Sequence, residues 1–199
     1  MKKMMFNDRY GLTQAVIHGR KTVTRRVVKD AWWPIYKIEA EGMRGDLINV
    51  IANNGKLVIE RKCPYKIGEI VAVAQRYDSF LHPNNGVIEH DYQTTALASK
   101  GWDNKMFVKA DLMPHQIQIR DIRIERLQDI SDIDCIKEGI RHAYAESILG
   151  MHGYIDCEGT GLWFNTPREA FASLIDKVSG RGTWDRNPFV WRIEFKLVK

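Results

Sequence analysis

The run Phe189-Val190-Trp191-Arg192-Ile193-Glu194-Phe195-Lys196-Leu197 decides the fold class. Phe189, Trp191, Ile193, Phe195 and Leu197 fall on one face of an extended chain, and Arg192, Glu194 and Lys196 alternate on the other. A helix must precede this strand. Thr166 stands where a cap belongs, Pro167 in the first helical position and Glu169 three residues after the cap. Phe171, Leu174, Ile175 and Val178 then recur at helical spacing, and Gly180 stops the run.

Outward from this pair, strands outnumber helices. Asn7 or Asp8 is expected to cap a first helix carrying Leu12, Val16 and Ile17, with Gly19 as its left-handed terminus. Leu47 to Glu60 reads as a hairpin about Asn53-Asn54-Gly55. Ile70 to Ala74 reads as a buried strand, and Ile117 to Ile124 as another whose alternation slips at Arg120-Asp121, the mark of a bulge. Ser131 followed by Asp134 resembles a capping box for a short helix closed by Gly139. Residues 78–114 read as a decoration and 141–165 as a long loop or lid. Single helices among short strands predict an α+β fold, a curved mixed sheet or small barrel with helices at its ends. Neither Gly-rich phosphate loop of the doubly wound nucleotide folds is present.

The 199 residues suit one domain, with insertions at about 30–62, 78–114 and 141–165. A net charge of +5 and a pI near 9.1 suit an anionic partner, and the distribution says more than the total. Lys2, Lys3, Arg9, Arg20, Lys21, Arg25 and Arg26 precede Lys29, with only Asp8 opposing them. Cys63, Cys135 and Cys157 are odd in number and widely spaced, which fits a reducing cytosol and no disulfide framework. Met1-Lys2-Lys3-Met4-Met5-Phe6 briefly imitates a leader but runs into Asn7-Asp8-Arg9, so a cytoplasmic, membrane-free protein is expected.

Several segments together resemble the ASCH domain proteins, in particular the larger versions common in bacteriophages and prophages. They are Phe6-Asn7, Gly19-Arg20-Lys21-Thr22-Val23-Thr24-Arg25-Arg26, the Gly68-Glu69-Ile70-Val71 turn and strand, Met113-Pro114, Arg123 to Ser131, Glu138-Gly139, and Trp184 to Trp191. The resemblance implies a β-barrel of the PUA-like superfamily that binds RNA or modified nucleosides. It also implies, as an alternative, an amidohydrolase that removes an acyl group from the exocyclic amine of cytidine. On that reading Lys21, Thr24 and Glu138 are the catalytic residues by motif position. Relatives carry an Arg-Glu pair after the Gly68-Glu69 strand, where this chain has Ala74-Gln75-Arg76-Tyr77.

The chemistry of these residues fits the resemblance. Amide hydrolysis needs a base, an oxyanion donor and a proton for the leaving amine, which a dry Lys21, Thr24 and Glu138 can supply. Arg20, Arg25 and Arg26 are phosphate candidates, with Lys21 and Thr22 beside them; the plain alternative is salt bridges to Glu194, Asp129 or Glu125, Arg26 being structural before Arg20. Gln75, Arg76 and Tyr77 end a strand where ligand contacts collect, and Tyr77 is a candidate stacking platform. Trp184 is a candidate pocket wall, whereas Trp191 belongs to the core. His142, His152 and Cys157 match no zinc spacing, so neither metal nor cofactor is expected. Three functions follow: an RNA or nucleoside binder, the amidohydrolase, or a phage accessory module that meets a protein through 78–114 and 141–165.

Overall fold

The structure is a computed structural model that describes residues 1–28, 37–41, 47–51, 57–81, 99–145, 151–156 and 162–199. Its strands are β1 (Lys2–Met4), β2 (Val23–Val27), β3 (Lys37–Glu41), β4 (Leu47–Ile51), β5 (Leu57–Lys62), β6 (Ile70–Val73), β7 (Gln116–Arg126), β8 (Arg141–Ala145), β9 (Met151–Ile155) and β10 (Phe189–Leu197). The helices are α1 (Leu12–Ile17), α2 (Asp132–Lys137), α3 (Pro167–Ser179) and α4 (Thr183–Arg186). The class is α+β. No helix is long and apolar enough to cross a membrane among the described residues.

The principal sheet runs β1-β6-β7-β10-β2. β1 pairs with β6 in parallel and every other pairing in it is antiparallel. The alternating run 189–197 is an interior strand of the sheet, flanked by the central strand β7 and the edge strand β2. Opposite it, Glu194 pairs with Asp121 and Phe195 with Ile119, so Arg120 is the extra residue of a bulge. The bulge lets Ile119 and Ile122, three positions apart, both be fully buried while Arg120 stays exposed. Closure into a barrel is not made by these pairings: β1 and β2 are the sheet's two edges.

Main-chain capping follows local chemistry. Thr166 accepts from the Glu169 amide, and Glu169 returns a bond to the Thr166 amide, completing the capping box. Ser131 accepts from the Asp134 amide as expected, but the Asp134 carboxylate binds arginines instead of returning to Ser131. Asn7 caps only a 3₁₀ turn, Asp8–Tyr10; α1 itself starts from Gly11 at φ 67°. Gly19, at φ 69°, leaves α1 as expected.

Three segments differ from the sequence expectation. The leader-like start forms β1, because Lys3 donates to the Met106 and Val108 carbonyls and Met4 is buried. Residues 141–165 are not a featureless lid: β8 and β9 form an antiparallel ribbon, extended by a Tyr154–Phe164 bridge. The Gly, His and Tyr content of this stretch concealed the alternation. Residues 99–114 carry 3₁₀ turns and no strand, and Val108 and Met113 pack with Ala72, Ala74 and Tyr77 into a second small core. The hairpin strands 47–51 and 57–62 pair as read, joined on the outer side by β3. Its Asn53-Asn54-Gly55 turn lies outside the described residues, as do 82–98 and Cys157.

Candidate functional site

The segment 19–26 meets the end of α2 because both chains turn there. The Lys21 amide donates back to the Ala15 carbonyl at 2.8 Å, and the Thr22 amide donates to the Lys137 carbonyl at 2.9 Å. Gly139, at φ 111°, turns the chain out of α2, and a Cβ there would lie 3.9 Å from that of Lys21 and 3.5 Å from Leu12. The Phe195 amide donates to the Thr22 carbonyl at 2.9 Å, which ties this corner to β10.

Lys21 and Glu138, 117 residues apart, therefore form a buried ion pair. The ammonium donates to the Glu138 carbonyl at 2.7 Å and to its Oε2. Glu138 Oε1 accepts from Arg25 Nη1 at 3.2 Å. Arg25 also donates to Glu125 Oε1 at 2.7 Å and to Asp134 Oδ2 at 2.6 Å. Asp134 then holds Arg192 through both oxygens, at 2.6 and 3.1 Å, and Arg192 reaches Glu194 at 3.0 Å. Lys21 is 2% exposed, Glu138 4%, Arg25 5% and Arg192 7%. Charges so buried persist only when paired, and here each is.

The electrostatics follow from these contacts. Burial pulls the Lys21 amine below its ordinary value, and Glu138 opposes that pull. Hydrogen bonds from Arg192, with Arg25 assisting, hold the Asp134 carboxyl well below the usual carboxylate range. Burial also acts to lower Arg25, yet Glu138, Asp134 and Glu125 outweigh it and raise the guanidinium above its usual value. A buried Lys–Glu pair is suited to relaying a proton, whereas the two arginines are committed to carboxylates.

The other sequence candidates are dispersed. Thr24 is buried and pairs with Ile193 across the sheet, on the opposite face of β2 from Arg25. The Arg26 guanidinium donates to the Met5 carbonyl and lies 5.8 Å from the Phe6 ring, a main-chain partner in place of the acidic ones expected. Arg20 is exposed. Tyr77 is 3% exposed and its hydroxyl accepts from the Lys109 amide at 2.8 Å, so its ring faces are packed and cannot take a base. Trp184 packs edge-on against Phe171 and beneath Arg168, at the α3 side of the core. His142 packs edge-on against Tyr154.

Gln75 and Arg76 line a cleft of about 200 Å³ with Asp8, Thr13, Gln14 and Ser79. Gln75 is buried and its Oε1 lies 2.8 Å from His115 Nδ1, while Arg76 is exposed and pairs with Asp78 at 3.3 Å. Sequence reasoning missed Asp134, Arg192, Asp8, Thr13 and His115. Only Asp134 left a signal, an Asp where a capping box prefers Glu or Gln. Comparison with known protein families, with curated proteins and with solved structures finds no match to this chain.

Proposed function

We propose that this chain is an ASCH-type, PUA-like protein that recognises a modified nucleoside, free or exposed in RNA, at the corner formed by α1, Lys21 and Glu138. The buried Lys21–Glu138 pair carries the reading, since it unites the two motif segments on which the resemblance rests. The cleft of Gln75 and Arg76 shares α1 with this corner, through Thr13 and Gln14 on one side and Ala15 on the other. Arg25, Arg26 and Arg192 are bound to protein oxygens, which favours a small ligand over a long phosphate track. Titration with acetylcytidine by calorimetry tests the proposal. Saturable binding, weakened at least tenfold in Gln75→Ala, is expected; no binding of any cytidine, modified or not, would sink it.

The contact of the Lys21 amine with a carboxylate favours a second reading, acyl-cytidine hydrolysis. A water would lose its proton to the Lys21–Glu138 pair and bond to the acyl carbon. The C–N bond would then break as the pair returns the proton to the leaving amine. Release of cytidine and acetate, abolished in Lys21→Met, is the outcome this reading requires. Binding with no release over hours would leave recognition standing and remove catalysis.

A further inference from the structure

We infer that the free edge of β1 is a docking groove for a protein partner, an extended peptide segment that carries two adjacent carboxylates. The inference goes beyond the nucleoside reading and is independent of it, since the groove shares no lining residue with the Gln75–Arg76 cleft.

The groove holds about 490 Å³ and is lined by Lys2, Lys3, Pro64, Tyr65, Val108 and Ala110. Its floor is the side of β1 turned away from β6. The Met4 carbonyl accepts from the Ala74 amide at 2.9 Å, so Met4 spends its main chain on β6. Alternation along the strand then turns the Lys3 N–H and C=O to the open edge. The Lys3 amide has no partner among the described residues, and its carbonyl takes only the Tyr65 hydroxyl at 3.4 Å. A bond that long is weak, and a strand laid along the edge would replace it with a better one. Further on, the Met5 carbonyl is already held by Arg26, which closes the edge at that end.

The two walls stand on opposite faces of β1. Lys2 reaches the Pro64 carbonyl at 2.6 Å and Glu69 at 3.0 Å, while Lys3 reaches the Met106 and Val108 carbonyls at 2.6 and 2.8 Å. Successive side chains of an added strand would therefore point to the two walls in turn. Each wall carries a lysine: Lys66 follows Tyr65, and Lys109 stands between Val108 and Ala110. Both are exposed, and neither makes an ion pair among the described residues. The acids nearby are engaged, Glu69 with Lys2 and the Lys66 amide, and Asp111 with the amine of Met1. Two neighbouring carboxylates, one toward each wall, answer this charge. Met106 and Phe107, 62% and 55% exposed, offer apolar surface beside the Lys109 wall to the residues that flank the acids. A peptide fits this edge better than a nucleic acid, because one peptide edge supplies both the acceptor and the donor that Lys3 needs.

Calorimetric titration of the full chain with the end-blocked peptide Thr-Val-Glu-Glu-Val-Thr tests the proposal. Saturable binding is expected, with the Lys3 amide signal displaced in NMR spectra. Lys66→Glu and Lys109→Glu should each weaken it about fivefold and leave urea stability unchanged, since both side chains lie at the surface. A peptide with Lys-Lys in place of Glu-Glu should not bind. A copy N-methylated at every amide keeps the charge but loses its donors, and it should not bind either. Equal binding of that copy would reduce the groove to unspecific charge attraction and overturn the proposal, as would no binding of the parent peptide. Oligouridylate that binds more tightly than the peptide, and loses affinity in both lysine variants, would overturn it in favour of RNA.

Discussion

Lys21 illustrates how much one buried charge depends on one partner. Replacing it with Met leaves the Glu138 carboxylate in an apolar corner with Arg25 as its remaining charged contact. Removing one member of such a pair costs about 3–5 kcal/mol, and urea unfolding of Lys21→Met should show a loss of that order. The double variant Lys21→Met with Glu138→Leu should recover most of it, since no orphan charge remains. Asp134 makes a separate prediction. Because its folded value lies below the ordinary one, the unfolded chain takes up the proton first as pH falls. Its contribution is complete above about pH 5 and drains away below that. Asp134→Asn should flatten the loss of urea stability between about pH 5 and pH 3. An unchanged acid slope would count against the network as drawn.

At the scale of elements, α2 positions the site, and both its ends matter. Ser131 opens it, Asp134 and Glu138 face the sheet one turn apart, and Gly139 lets the chain leave. A side chain at Gly139 would meet ordinary contacts at 3.5 Å, so the penalty comes from φ 111° and not from crowding. Gly139→Ala should cost on the order of 1–3 kcal/mol and weaken ligand binding by displacing Glu138. Thr166→Ala, which removes the capping box of α3 far from Lys21, should cost about 1 kcal/mol and leave binding intact. Equal effects of both changes on binding would show that α2 holds no special place. These elements were legible in sequence because caps and periodicity act within a few residues. The edge strand β1 was not, since it depends on a distant partner, β6, for its hydrogen bonds, and the ribbon β8–β9 was hidden by its Gly, His and Tyr content.

Across the whole molecule, the surplus of +5 is less available to ligands than its clustering near residue 20 suggests. Arg25 and Arg192 are interior, Arg26 is held by the Met5 carbonyl, and Lys3 and Lys105 are held by main-chain carbonyls. Arg20 and Arg76 are exposed, Arg76 while paired with Asp78. RNA binding that uses both should therefore fall with salt at a log–log slope of about −1.4, from roughly 0.7 per phosphate on a single strand. Arg20→Ala should lower that slope by about half. A slope several times steeper would mean that another basic face does the binding.

The sequence by itself determined the α+β class, the capped helix before the final strand, the bulge at Arg120 and the short helix ended by Gly139. These are local matters of alternation, caps and backbone permissiveness. Only the tertiary structure decided that Lys21 pairs with Glu138, that Arg25 and Arg192 are consumed by Asp134, and that Tyr77 is core. It also decided that the five-stranded sheet ends on β1 and β2. The reason is physical: a side chain's role depends on which distant charges share its burial, and spacing along the chain carries no trace of that.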